Sequence, residues 1–340
     1  MEKQNSRIVV IGGGTGSFTL LQELKKLTKN ITALVNMADD GGSTGVLRDE
    51  FGVLPPGDIR QCLVALSESS DELRTLFNYR YPAGSSWEGH SFGNLFISTV
   101  EMTTNNFADA VKVASKVLNI RGKVVPMTLT NCKLSMNIKG SHVVGQYNIE
   151  NTQFRGKDDR PDLWLEPSAE INPDANKAIS RADLIVIAPG NLYASLLPAL
   201  LVSGVKEALA TATAPVVYVG NLINKPNHTA NFAVHDYVDE IERFIGNTID
   251  SVLFNTMEPT YDLLQKYALD GEFPVTVDQK ALQGKHYRAI GGNFLAKQGA
   301  VRDPNDTFIY RSLIRHDARA VATCLRRFFD NNVDKTITNW

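Results

Sequence analysis

Residues 8–17 read Ile-Val-Val-Ile-Gly-Gly-Gly-Thr-Gly-Ser, a short β-branched run that meets a glycine-rich turn. Apolar side chains then recur at helical spacing between Phe18 and Leu27, so the pattern predicts a strand, a tight turn and a helix. The next apolar run, at residues 31–35, is nearly continuous, as in a strand that is covered on both faces. The sequence therefore predicts a βαβ unit and a parallel sheet.

Strand and helix patterns alternate along much of the remaining chain. Apolar runs at 183–188, 215–220 and 251–255 predict further central strands, with an apolar helix over 196–210 between the first two. A period of two after residue 123 predicts an antiparallel hairpin, within a candidate insertion over 123–165. We expect one α/β domain over residues 1–340, with a Rossmann-like, mainly parallel sheet, helices on both faces and this antiparallel hairpin insertion.

Composition excludes several classes of protein. The 340 residues include 35 Lys plus Arg and 37 Asp plus Glu, for a net charge of -2, so no strong positive field is present to attract nucleic acid. The apolar runs are shorter than the roughly 20 residues of a membrane span, and the first is too short for a signal-peptide core. Three widely spaced cysteines fit a reducing compartment. We expect a cytoplasmic protein with no membrane span and no nucleic-acid partner.

The glycine-rich turn after the first strand is the strongest local signal of function. Glycines there let backbone N–H groups approach a phosphate, and the amino end of a helix adds partial positive charge. The dinucleotide fingerprint is imperfect, because Ser17 stands where a third glycine or alanine belongs, and no P-loop lysine follows. Such a turn can also serve tight packing alone. The residues assigned to phosphate binding are Gly12, Gly13, Gly14, Thr15, Gly16 and Ser17.

A second glycine-rich loop, at residues 36–45, carries two adjacent carboxylates. An NAD site would place an acidic residue near position 36 to hold the ribose, so an asparagine there argues against NAD. Adjacent aspartates beside a phosphate loop suit Mg²⁺, which favours one or two carboxylates with water and phosphate oxygens. A solvated Asp-Asp-Gly turn is the alternative. The candidate ligand residues are Asn36, Gly41, Gly42, Ser43 and Thr44, and the candidate metal ligands are Asp39 and Asp40.

Polar residues in later turns are further candidates. Asp58 has the position of a helix N-cap, and Arg60, one turn inside, could pair with a phosphate through its guanidinium. Gly-Asn-Leu occurs three times, and the last two triplets follow predicted strands, so they should line the same crevice as the glycine turn. Gly-Asn is also a common turn pair. The candidates from the triplets are Asn94, Gly190, Asn191 and Asn221.

No catalytic residue can be assigned from the sequence. The six histidines show no metal-ligand spacing, and Cys62 lies in an apolar helical segment. The C-terminal arginines have the pattern of a solvated helix face balanced by nearby aspartates. We assign no chemistry to these arginines, which are Arg311, Arg315, Arg319, Arg326 and Arg327.

Together these motifs resemble the YvcK-type gluconeogenesis factor family, which is related to the CofD-like 2-phospho-L-lactate transferases. The likeness extends from about Ile8 to Leu325 with the linear order preserved, so it is far more specific than any single glycine motif. The motifs are I-G-G-G-T-G-S at 11–17, N-M-A-D-D-G-G-S-T-G at 36–45, P-P-G-D-I-R at 55–60, G-N-L-F at 93–96 and P-G-N-L-Y-A-S-L-L-P at 189–198.

The resemblance implies a modified Rossmann-like fold that binds a nucleotide or nucleotide sugar. YvcK-type members are associated with cell shape during growth on gluconeogenic carbon and with UDP-sugars, notably UDP-N-acetylglucosamine, whereas the transferases use a GDP donor and Mg²⁺. Carried onto this chain, the resemblance adds Asp58 to Asp39 and Asp40 as candidate metal ligands. The loop at 36–43 and the Gly190-Asn191 pair depart from the transferase pattern.

Two functions from different classes are therefore expected. The first is a nucleotide-sugar-binding regulator needed for cell shape and wall synthesis during gluconeogenic growth. The alternative is a Mg²⁺-dependent phosphotransferase of the 2-phospho-L-lactate transferase type, with a nucleoside diphosphate donor. An NAD-dependent oxidoreductase is a weaker third interpretation. The apolar helix expected over 196–210 could cover the sheet or form a homodimer interface.

Overall fold

The structure is a computed structural model that describes residues 5–297 and 313–328. Within these residues the strands, in chain order, are β1 (Ile8–Gly12), β2 (Ile31–Val35), β3 (Lys123–Pro126), β4 (Lys133–Ile138), β5 (Ser141–Val144), β6 (Asp162–Glu166), β7 (Leu184–Ile187), β8 (Val216–Val219), β9 (Ser251–Asn255) and β10 (Arg288–Gly292).

The described helices surround these strands, and a π-helical turn at Leu192–Leu196 precedes the tenth of them. They are α1 (Gly14–Leu24), α2 (Gly42–Phe51), α3 (Gly57–Leu66), α4 (Asp71–Asn78), α5 (Phe92–Thr104), α6 (Phe107–Val117), α7 (Gln146–Asn151), α8 (Gly156–Asp159), α9 (Pro173–Ser180), α10 (Leu197–Leu200), α11 (Val205–Thr211), α12 (Val234–Ile245), α13 (Tyr261–Ala268), α14 (Gln279–Leu282) and α15 (Ala318–Arg326). None of these helices is long and apolar enough to cross a bilayer.

The main sheet is parallel and doubly wound. Its strand order is β10-β9-β8-β7-β1-β2-β3, and each neighbouring pair runs parallel. The chain proceeds from β1 outward to β3, and later starts again at β7 on the other side of β1. The direction of winding therefore reverses between β1 and β7, and in such sheets ligands bind at the carboxyl ends of the strands at this switch point.

Side chains of β1 alternate between two apolar cores because successive residues of a strand point to opposite faces. Ile8 and Val10 pack in one core, which includes residues of α1, α3 and α6. Val9 and Ile11 pack in the other, which includes residues of the small sheet and of α9–α12. The expected Rossmann-like sheet with helices on both faces is confirmed.

The antiparallel insertion is a separate three-stranded sheet with the order β5-β4-β6. The predicted hairpin is confirmed in β4 and β5, whose register pairs Ile138 with Ser141. The sequence did not predict β6, which pairs with β4 on the other side. β3 belongs to the main sheet, where it pairs with β2, so the small sheet occupies residues 133–166. The division of the chain into domains stays a prediction.

The single helix expected over residues 196–210 is wrong. Helix α10 ends at Leu200 and α11 begins at Val205, because Gly204 between them has a left-handed φ of 93°. This break leaves two short helices, both with buried residues, against the second core.

Candidate functional site

A cavity of about 410 Å³ lies at the switch point between β1 and β7. Its lining includes residues 13–16 from the turn after β1, residues 189–191 after β7, and Asn221 after β8. These three turns follow the carboxyl ends of adjacent strands. The structure thus brings together Gly13, Gly14, Thr15, Gly16, Gly190, Asn191 and Asn221, which are predicted ligand residues.

The glycine turn exposes the amino end of α1 to this cavity. Helix α1 begins at Gly14 and carries no acidic residue in its first turn, so its partial positive charge faces the space beside it. A Cβ added at Gly16 would lie 2.0 Å from the carbonyl oxygen of Pro189. Only glycine therefore permits α1 to approach the turn after β7 this closely.

The asparagines of the triplets hold the turns in place. Asn221 Nδ2 donates to the carbonyl oxygen of Gly190 at 2.8 Å, and Asn221 Oδ1 accepts from the Tyr218 hydroxyl at 2.9 Å. Asn191 Oδ1 accepts from the Ala194 N–H at 3.3 Å, at the start of the π-helical turn. Asn221 thus connects the loops after β7 and β8, while Asn191 caps the turn that follows it.

Charged residues that the sequence analysis did not select also line the cavity. Lys225 Nζ pairs with Glu272 Oε1 at 2.5 Å, and both residues lie in the lining with Arg315 and His316. The His316 Nε2 lies 3.0 Å from the carbonyl oxygen of Gly220, and burial lowers the pKa of His316 to about 4. The imidazole is therefore neutral near pH 7. Glu272 balances the charge of Lys225, and Arg315 adds a further positive charge to the lining.

The prediction that Arg315 lies on a solvated helix face is wrong. Arg315 precedes α15, and the chain around it crosses the carboxyl edge of the sheet, where His316 pairs with Leu295. The same prediction is confirmed for the exposed residues Arg319, Arg326 and Arg327, whereas Arg311 lies outside the described residues. Contacts this distant in sequence leave no local pattern, so composition and periodicity could not have placed Arg315 in the cavity.

Asp58 lies on the side of the glycine turn opposite to the cavity. The prediction that it is an N-cap is wrong, because α3 begins at Gly57 with Pro56 as its N-cap and Asp58 lies inside the first turn. Its carboxylate packs on the turn instead: a Cβ added at Gly13 would lie 2.0 Å from Asp58 Oδ2. The Gly14 N–H donates to this carboxylate.

Asp39 and Asp58 form a half-buried pair of carboxyl groups. Burial is the main reason why the pKa of Asp58 rises to about 7, and the charge of Asp39 raises it further. Burial and the neighbouring charge of Asp40 also raise the pKa of Asp39, although Asp39 accepts from the Gly41 N–H at 3.1 Å and from the Thr44 hydroxyl. Two repelling, half-buried carboxylates beside a phosphate-type turn would be stabilised by a divalent cation.

Asp40 has other partners. Its two carboxylate oxygens accept from the backbone N–H groups of Gln146 at 3.1 Å and Tyr147 at 2.9 Å, so it caps α7 and ties the insertion to the second glycine loop. Asp39 and Asp58 fit a Mg²⁺ ion that water and phosphate oxygens complete, whereas the role of Asp40 as a metal ligand stays a prediction. Across residues 5–297 and 313–328, no group of three or more His, Cys, Asp or Glu side chains could hold a metal.

A polar network joins Arg60 of α3 to the amino end of α5. Arg60 is buried, and its Nε donates to Asn94 Oδ1 at 3.0 Å. Asn94 Nδ2 donates to Ser43 Oγ at 3.4 Å, and Ser43 Oγ lies 2.8 Å from His90 Nδ1. The structure places these predicted residues together, but apart from the cavity lining. Their roles as ligands stay predictions.

The remaining candidates shape the two loops. Ser17 Oγ and Asn36 Nδ2 are buried without hydrogen-bond partners among the described residues. Asn36 Oδ1 accepts from the Ala38 N–H at 3.0 Å. Gly12 ends β1, while Gly41 and Gly42 form the amino end of α2. None of these five residues is part of the cavity lining.

The chain is similar to known proteins over most of its length. The model of the family described as 2-phospho-L-lactate transferase CofD matches residues 8–295. A putative gluconeogenesis factor from Thermotoga maritima is 36% identical, covering 94% of this chain and 98% of the relative. The gluconeogenesis factor of Bacillus subtilis is 37% identical, covering 95% of this chain and 98% of the relative.

One further relative is longer than this chain, and another has a crystal structure. A putative gluconeogenesis factor from Nostoc sp. is 42% identical over 87% of this chain, which spans 65% of that relative. A crystal structure of a protein from Bacillus halodurans is 35% identical, with a TM-score of 0.86 and coverage of 94% of this chain and 99% of that chain. This fold is therefore also seen experimentally in a relative.

Proposed function

The chain belongs to the CofD family and, within it, to the gluconeogenesis factors, and from that premise we propose that its switch-point cavity binds a nucleotide sugar of the UDP-N-acetylglucosamine type. The observation that carries the proposal is the meeting, in one cavity, of the amino end of α1 with Arg315, beside the Lys225–Glu272 ion pair. Backbone N–H groups and a guanidinium suit a diphosphate.

The size and chemistry of the space support a ligand larger than a diphosphate. The cavity also presents the apolar residues Leu222 and Ile314. A second cavity of about 500 Å³ shares these two residues and Asn221, and continues past the carboxyl end of β9. Pockets with a few placed polar groups and apolar walls suit a base or sugar held beside a charged group.

A regulatory role requires binding and no chemical step. We place this function in the cytoplasm, where the bound nucleotide sugar would report its supply to the machinery of cell shape and wall synthesis during gluconeogenic growth. A homodimer stays a prediction. The relatives' names support membership among the gluconeogenesis factors. The regulatory role, the location and the homodimer go beyond those names.

The half-buried pair of carboxyl groups favours a second candidate, a Mg²⁺-dependent phosphotransferase. Asp39 and Asp58 would hold the metal, and the glycine turn would orient the phosphates of a nucleoside diphosphate donor. Bound Mg²⁺ would supply charge neutralisation at the transferring phosphoryl group. The N–H of Gly14, which donates to Asp58, links the carboxyl pair to the turn beside the cavity.

Calorimetric titration with UDP-N-acetylglucosamine, GDP and NAD, each with and without Mg²⁺, tests these functions. Binding of the UDP-sugar without Mg²⁺ is the expected result. Arg315→Ala should weaken it at least tenfold, since a charge-assisted hydrogen bond contributes about 1.5–3 kcal/mol. The matched variant Arg319→Ala, at an exposed position of α15, should leave it unchanged. Mg²⁺-dependent GDP binding without UDP-sugar binding would contradict the regulator and favour the transferase.

A further inference from the structure

A separate cavity of about 420 Å³ lies at the opposite edge of the main sheet. Its floor contains backbone at the amino ends of β1, β2 and β3, including Ile8, Ile31 and Lys123. Because β1 spans five residues and a strand rises about 3.3 Å per residue, this cavity is about 16 Å from the glycine turn. It shares no lining residue with the switch-point cavity.

The lining of this cavity is strongly basic. It contains five cationic side chains and one carboxylate, that of Asp174, although the chain as a whole has a net charge of -2. The five cations come from four separate parts of the chain. They are Arg7, Lys29, Lys123, Lys177 and Arg181.

Most of this charge is not neutralised by the residues that the structure describes. Arg7 pairs with Asp183, with 2.7 Å between Nη2 and Oδ1. In the part of the chain that the structure describes, the side chains of Lys29, Lys123, Lys177 and Arg181 make no ion pair. Gathering like charges in a concave surface raises the local positive potential and attracts anions.

Local structure accounts for only part of this arrangement. Lys177 and Arg181 are four residues apart at the carboxyl end of α9, where cations complement the helix dipole. That explanation does not extend to Lys29 or Lys123, which approach from different elements. Gly122 brings Lys123 close, because a Cβ at this φ of +96° would lie only 2.3 Å from the carbonyl oxygen of Ile31.

We infer that this basic cavity binds a small anion carrying two or more phosphate groups. Its volume is that of a small-molecule site, and several ammonium groups around one concavity can neutralise several phosphate oxygens at once. A nucleic acid would need an extended basic surface, and the acidic net charge opposes it. The site is independent of the proposed nucleotide-sugar cavity.

Titration of the full chain with inorganic tripolyphosphate tests this site. The double variant Lys123→Glu/Lys177→Glu should bind at least about tenfold more weakly, because it reverses two of the surrounding charges. Lys116→Glu/Lys206→Glu is the matched control, since both positions are exposed outside the cavity and the net charge changes equally. Wild-type affinity should fall as salt screens the site.

Tripolyphosphate could also enter the switch-point cavity. The Arg315→Ala variant therefore distinguishes binding there from binding in the basic cavity. The inference holds if this variant keeps the binding that the Lys123/Lys177 variant loses. It is overturned if wild type does not bind millimolar tripolyphosphate, if both double variants lose binding equally, if only Arg315→Ala does, or if a short DNA duplex binds there in preference. Lys123→Gln/Lys177→Gln, checked by circular dichroism, gives the same comparison should the Glu variant fail to fold.

Discussion

Replacing Asp58 by asparagine should make the protein less sensitive to alkaline pH. The half-buried Asp58 carboxyl group packs against the glycine turn, where the Gly14 N–H donates to it. An asparagine has nearly the same shape, and its amide oxygen can accept from the same N–H group. The substitution therefore removes a titrating charge while keeping the local packing.

The magnitude follows from the shift of the Asp58 pKa from 3.8 to about 7, caused first by burial and then by the charge of Asp39. Between these values the folded state holds a proton that the unfolded state has released, so the free energy of unfolding falls as the pH rises and levels off above about 7. Each pH unit costs about 1.4 kcal/mol. Relative to Asp58→Asn, wild type should lose about 3 kcal/mol between pH 5 and pH 8.

Urea unfolding of wild type and Asp58→Asn at both pH values measures this difference. Asp270→Asn, at an exposed position, controls for the loss of one carboxylate and should follow wild type. The reasoning is refuted if the stability of wild type relative to Asp58→Asn is unchanged or rises between pH 5 and pH 8. Added Mg²⁺ should reduce the alkaline loss in wild type and in Asp270→Asn, but not in Asp58→Asn, if Asp39 and Asp58 hold the metal.

Three substitutions test the packing around the site. Gly16→Ala should destabilise the protein by about 3 kcal/mol and abolish ligand binding, because its methyl group would meet the Pro189 carbonyl oxygen; normal binding would contradict the close approach. Asp40→Ala should cost about 1 kcal/mol through lost capping of α7, and a loss of Mg²⁺ binding without lower stability would instead favour a ligand role. Tyr193→Phe should cost about 1 kcal/mol, since the buried hydroxyl donates to Glu240 Oε1 at 2.9 Å; an unchanged urea midpoint would contradict that contribution.

Local patterns were sufficient to predict the framework of the site. The β-branched run before the glycines is β1, the helical spacing after them is α1, and parallel pairing of β1 with β2 follows. Strands that end at one edge must bring their following turns together, which is why the predicted residues at 190, 191 and 221 all line the cavity. These features depend on periodicity and topology, which a sequence expresses directly.

Side-chain partners distant in sequence could not be predicted in this way. Asp40 looks like a metal ligand beside its loop, yet its carboxylate caps a helix more than 100 residues later. Asp58 has the sequence position of a cap but packs on Gly13. Arg315 is placed at the cavity by contacts of its neighbours that are distant in sequence, such as the pairing of His316 with Leu295 and the contact of His316 with the Gly220 carbonyl oxygen. In each case tertiary packing decides among roles that the local sequence allows.

The glycine turn lies between the switch-point cavity and Asp58, and it contacts both. Gly13 and Gly14 face the cavity, while Asp58 packs on Gly13 and accepts from the Gly14 N–H. A phosphate at the amino end of α1 would repel an ionised Asp58 and raise the pKa of that carboxyl beyond about 7. Binding without divalent cations at about pH 7.5 should therefore take up a fraction of a proton, measurable as a dependence of the calorimetric enthalpy on the ionisation enthalpy of the buffer. Asp58→Asn should abolish that dependence, and a wild-type enthalpy equal in all buffers would show that phosphate and carboxylate do not share the turn.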